Sequence, residues 1–165
     1  MAIAASKLQP AEVLNFALLD HRGRMHELRR MPGEVVVLFF TANECPVARQ
    51  CAPKLRRLAE HWSKRGVGVY LVDSNTADDR DSIAREARAL GLWHLPVLQD
   101  DTQGVARHLG VKRTGEAVVL RTRDWTILYR GAIDDQFVEG AGKPEPTQAY
   151  LESALENHFA RRPIE

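Results

Sequence analysis

The chain has 165 residues, 44% hydrophobic and 27% charged, long enough for one domain spanning 1–165 to bury a full core without disulfide staples. Lys and Arg number 23 against 22 Asp and Glu, a net charge of +1, so no global field points to nucleic acid or to an anionic membrane as partner. Two cysteines with no C-x-x-C between them exclude a secreted disulfide scaffold, and no apolar run approaches the roughly 20 residues needed to span a bilayer.

Met1 to Lys7 lacks the charged start and long apolar core of a signal peptide, so the expected location is cytoplasmic. Residues 15–28 read as a hairpin around His21-Arg22-Gly23, with the glycine supplying the turn conformation. Val35-Val36-Val37-Leu38-Phe39-Phe40 is an unbroken β-branched and aromatic run, the pattern of a central parallel strand covered on both faces. From Pro46 the apolar positions Val47, Cys51, Leu55, Leu58 and Trp62 fall on one helical face, with Pro53 expected to kink the helix. Val67–Val72 predicts a second strand, Asp81–Leu90 a helix stopped by Gly91, Trp93–Leu98 an extended piece and Gly104–Leu109 a short helix. Ala117–Leu120 and Ile127–Tyr129 predict a hairpin whose turn exposes Trp125; after a loop over 140–146, Thr147 is expected to cap a last helix carrying Leu151, Ala154, Leu155 and Phe159. A β-hairpin, then β-α-β-α, then a hairpin and a terminal helix predicts a three-layer α/β/α sandwich.

Cys45 stands where the central strand hands over to the long helix. There the unpaired N–H groups and the positive end of the helix dipole favour thiolate over thiol. Pro46 suits a first helical position. Arg49 one turn on adds positive charge, and the neighbouring Glu44 opposes it.

These residues carry a family resemblance. The strand ending in Phe39-Phe40, the Cys45-Pro46 pair and Pro53, eight residues after Cys45 as the helix proline of thioredoxins follows its nucleophilic cysteine, match the thioredoxin-like superfamily. So do Leu95-Pro96-Val97-Leu98-Gln99-Asp100, Ala106-Arg107-His108-Leu109-Gly110-Val111 and Tyr129-Arg130-Gly131-Ala132-Ile133-Asp134-Asp135. The chain resembles in particular the redoxin branch shared by AhpC/TSA-like peroxiredoxins and bacterial thiol-disulfide oxidoreductases. The resemblance implies an α/β thioredoxin-like sandwich with an N-terminal β-hairpin extension. It also implies a Cys45 nucleophile that forms a mixed disulfide, and a substrate groove at Pro46, Arg113, Thr114, Gly115 and Glu116. An external thiol reductant or a disulfide-bearing protein is then the partner, a homodimer is an allowed assembly, and no cofactor or metal is required.

The chain departs from that pattern at two points. Ala48 stands where a thioredoxin has its second cysteine, leaving Cys51 as the other thiol. On an intact helix residues six apart have Cα atoms about 10 Å from each other, beyond the roughly 7 Å limit for a disulfide. Cys51 therefore reads as a small hydrophobe in the apolar stripe, or as a resolving thiol reached only if the helix start unwinds. Gly115 stands where the family carries a cis-proline; a cis bond before a non-proline residue costs about 3 kcal/mol, so the loop is expected to be trans or mobile.

Three alternatives remain. Thr41 and Arg113 partly match a peroxiredoxin site, which makes thiol peroxidase a competing activity. The missing second cysteine suits a redox-inactive binding module. His108 with Cys45 and Cys51 would be the set for a copper-chaperone reading. Asp134 and Asp135, adjacent and therefore pointing to opposite faces of a strand, read as solvated loop ends.

Overall fold

The computed structural model describes residues 13–138 and 141–165. In order the chain forms β1 (Ala17–Leu19), β2 (Met25–Glu27), β3 (Val35–Thr41), α1 (Pro46–Ser63), β4 (Val67–Asp73), α2 (Arg80–Ala89) and β5 (Val97–Gln99). It continues with α3 (Gly104–Leu109), β6 (Glu116–Arg121), β7 (Thr126–Ala132), β8 (Phe137–Val138), β9 (Ala141–Gly142) and α4 (Tyr150–Phe159). Met1–Lys7 and Gly140 of the expected 140–146 loop lie outside the described residues.

The apolar run of β3 is buried on both faces because successive side chains leave a strand in opposite directions. Val35, Val37 and Phe39 enter one core with Cys51, Leu55 and Trp62 of α1, Ile83 of α2 and Leu155 of α4. Val36, Leu38 and Phe40 enter the other with Leu109 of α3, Leu28 after the hairpin and Trp125. The sheet order is β5-β4-β3-β6-β7. β4 is parallel to β3 in a register that runs from Val35 opposite Val67 to Thr41 opposite Asp73, and β6 is antiparallel to β3. This is the expected thioredoxin-like α/β/α sandwich. The N-terminal hairpin β1-β2 is present as well, joined to the sheet edge through the Asp20–Leu98 bridge and a His21 N–H bond to the Val97 carbonyl at 3.0 Å.

α1 continues through Pro53, which faces solvent and lacks only the N–H that would reach Arg49. α2 begins one residue before the expected start, with Asp79 accepting from the Ser82 N–H at 2.7 Å in a reciprocal capping box.

Four local expectations are corrected. Trp125 is buried: its left-handed backbone, φ 56°, turns the ring into the second core, with the Arg29 guanidinium 5.5 Å from its centroid. Asp134 and Asp135 are buried rather than solvated, Asp134 paired with Lys54 and Asp135 with Lys143. Thr147 does not cap α4, whose N-cap is Ala149; its N–H and hydroxyl donate to the Asp135 carboxylate instead. The short strand β9, paired antiparallel with β8, falls inside the segment 140–146 expected to be loop.

Candidate functional site

The turn that carries the cysteine is built by α2 as much as by the strand it leaves. After Thr41 the Asn43 N–H donates to Asp78 Oδ2 at 2.8 Å, and Asn43 Nδ2 to Ser82 Oγ at 2.9 Å. The Glu44 N–H donates to Glu86 Oε1 at 3.1 Å. These bonds hold Glu44 at φ 60°, a conformation that costs a non-glycine residue roughly 1–2 kcal/mol. Arg49 forks the same Glu86 at 2.8 and 3.0 Å, so the positive charge expected to act on the cysteine is shared with a carboxylate, and that guanidinium holds Glu86 below the usual carboxylate range.

Cys45 is the N-cap of α1, partly buried, with its carbonyl accepting from the Arg49 N–H at 2.9 Å. Its Sγ lies 3.1 Å from Thr114 Oγ1. Thr114 belongs to the loop between α3 and β6, and its neighbour Gly115 fixes that loop to the central strand: the Gly115 N–H donates to the Phe40 carbonyl at 2.8 Å. Gly115 is trans, as expected, with φ 89°. A proline here would lack both the N–H and access to that φ.

Two clefts meet at Thr114. One, about 640 Å³, is lined by Val47, Cys51, Arg113, Gly115, Glu116 and Ile133 among others; the second, about 430 Å³, opens at the ends of β3 and β4. The structure thus gathers Arg113, Thr114, Gly115 and Glu116 on the first cleft, with Thr114 linking them to Cys45, whereas Cys45 itself and Pro46, exposed at the first turn of α1, line neither cleft. Thr41 lines the second cleft with Arg113. Cys51 is 3% exposed, its edge reaching the first cleft, and burial pushes its thiol up to about 11. Both cysteines are free. His108 is engaged elsewhere, its Nε2 accepting from the Leu14 N–H at 2.8 Å. Among the described residues no three or more His, Cys, Asp or Glu are grouped to hold a metal ion.

Sequence reasoning missed Asp73. It ends β4 opposite Thr41, 1% exposed; one carboxylate oxygen accepts from the Asn75 N–H at 2.9 Å, and the other has no hydrogen-bond partner among the described residues. Burial, with Asp78 and Glu86 adding like charge, pushes this carboxyl up to about 7. A polar residue closing the apolar run of Val67–Val72 was the available signal.

A parallel β-α-β core, a cysteine at the start of its long helix and a Thr-Gly loop across from it define a thioredoxin-like redoxin. Residues 10–133 match the AhpC/TSA family, and the chain belongs to it. It is similar to the thiol-disulfide oxidoreductase ResA of Halalkalibacterium halodurans, 24% identical over 129 residues that cover 78% of this chain and 72% of that protein. Among solved structures, a conserved protein from Geobacillus kaustophilus superposes with a TM-score of 0.84 at 27% identity, over 98% of this chain and 87% of the other. A thiol:disulfide interchange protein, DsbE, from Chlorobium tepidum superposes with a TM-score of 0.71 at 20% identity, over 94% and 98%; at that identity the likeness is one of fold.

Proposed function

We propose that the protein is a thiol-disulfide oxidoreductase in which Cys45 is the nucleophile. The observation that carries this reading is the placement of the Cys45 Sγ at the N-terminus of α1, 3.1 Å from the hydroxyl of Thr114, a residue that lines two open clefts. The Cys45 thiolate attacks one sulfur of a substrate disulfide, the S–S bond breaks, and the second sulfur leaves as thiolate, giving a mixed disulfide on Cys45. The Thr114 hydroxyl donates to the sulfur while it carries charge, and the first cleft, lined by Gly115 and Glu116, receives the chain bearing the disulfide. Because Cys51 is buried with its thiol held protonated, the mixed disulfide is resolved by a thiol from outside.

The test is adduct formation with a model disulfide, read by intact-protein mass spectrometry on the wild type, C45S and C51A. The wild type and C51A each take one adduct, at Cys45, released by an added thiol, and C45S takes none. An adduct confined to Cys51, or turnover that disappears in C51A, would overturn the assignment.

A further inference from the structure

The second cleft has a character that the first lacks. Arg107 on α3 and Lys112 and Arg113 on the loop that follows line it, and among the described residues no Asp or Glu does. In a chain whose net charge is only +1, three cations around one concavity are a local feature. Arg107 and Lys112 are exposed, and neither has a carboxylate partner among the described residues. The floor is apolar, with Phe40, Ala106 and Val111. Its volume of about 430 Å³ falls in the range of small-molecule sites. Thr114 forms part of the wall, and its hydroxyl stands 3.1 Å from the Cys45 Sγ.

We infer that this cleft is a subsite for a low-molecular-weight disulfide or thiol bearing carboxylates, seated so that its sulfur meets Cys45. The inference rests on the nucleophile reading of Cys45. With the carboxylates against Arg107 and Lys112 and the aliphatic part over Phe40 and Val111, the disulfide lies at the Thr114 edge. The Cys45 thiolate attacks the nearer sulfur, a bond from Cys45 to that sulfur forms as the substrate S–S bond breaks, and the other half departs as an anionic thiolate. The substrate disulfide is reduced and Cys45 is oxidised to the mixed disulfide. A different thiol from solution then attacks the outer sulfur of the adduct, returning the Cys45 thiolate and carrying that half away as a mixed disulfide, so that the external thiol is oxidised and the small disulfide is reduced.

The charge preference is measured with three probes on the full chain: dithiodipropionate, a dianion; bis(2-hydroxyethyl) disulfide, neutral; and cystamine, a dication. Each rate of Cys45 adduct formation is divided by the rate of the same probe with a simple thiol. Dithiodipropionate is expected to outrun cystamine about tenfold at low ionic strength, and the ratio shrinks towards one in about 0.5 M salt. R107E/K112E reverses the ratio and R107Q/K112Q brings it near one, circular dichroism verifying that both variants are folded. A ratio near one in the wild type, or one that neither double variant changes, overturns the subsite while leaving Cys45 as nucleophile. If the neutral probe also fails to label Cys45, the nucleophile reading itself falls, and the subsite with it.

Discussion

Gly115 is the position at which this chain departs most sharply from a thioredoxin, and its geometry sets the cost of reversing the change. G115A puts a Cβ on a backbone at φ 89° and 2.9 Å from Val47 Cγ1. Positive φ costs roughly 1–3 kcal/mol for a non-glycine residue. The overlap adds about 1 kcal/mol, because a β-branched valine in a helix cannot turn away. G115P is worse: its ring holds φ near −65°, and it leaves the Phe40 carbonyl, in a residue 3% exposed, without the N–H it accepts from, a further loss of roughly 1–3 kcal/mol. The expected losses are about 2–4 kcal/mol for G115A and about 3–7 kcal/mol for G115P. For a chain of this size each kcal/mol lowers Tm by about 2–4 °C. Urea unfolding followed by circular dichroism measures them, and V47A added to G115A recovers the overlap but not the backbone strain. A G115P variant within about 0.5 kcal/mol of the wild type would refute the reasoning, since the Thr114 loop would then accept a proline conformation without relying on the Gly115–Phe40 bond.

Three further outcomes are expected. Iodoacetamide applied to the native chain at about pH 8 alkylates Cys45 and spares Cys51, whose burial both shields the thiol and pushes it up to about 11; rapid native labelling of Cys51 would mean that α1 opens there. Asp73 titrates at about 7 when folded against an ordinary 3.8, so its contribution to stability is complete below the lower value and lost as pH rises through the upper one. The stability of the wild type relative to D73N therefore falls across that window by on the order of 4 kcal/mol, and a difference that stays flat with pH would contradict it. D135A removes the oxygen that accepts from the Thr147 and Gln148 N–H groups; amide exchange at both should accelerate and Tm fall, while unchanged exchange would show that the loop is held by something else.

What the sequence revealed and what it hid follow the range of the interactions. The run Val35–Phe40 and the stripe Cys51, Leu55, Leu58 and Trp62 express burial on the element's own period, so strand, helix and faces were legible from them. Cys45 was legible as a candidate because its position, between a strand and a helix, is itself local. Asp134 looked like a surface residue because its partner, Lys54, lies 80 positions away. Trp125 looked like a turn residue because nothing beside it in sequence encodes the Arg29 side chain over its ring. The loop of Thr114 and Gly115 lies against Cys45, yet its hydrogen bond to Phe40 and its approach to Val47 belong to three separate segments. Arg49 was read as a cation near a thiol because Glu86, which claims it, stands on a different helix.

The clamp that α2 places on Asn43 and Glu44 has a consequence for timing. Peeling the first turn of α1 towards Cys51 would strain or break the bonds to Asp78, Ser82 and Glu86, in addition to lifting Cys51 from the core. On the proposed mechanism, an adduct on Cys45 would therefore have no inexpensive exit within its own chain. Its lifetime would be set by the concentration and reactivity of thiols in the surrounding solution, so the fraction of molecules carrying an adduct at any moment would become a readout of that solution's reducing strength.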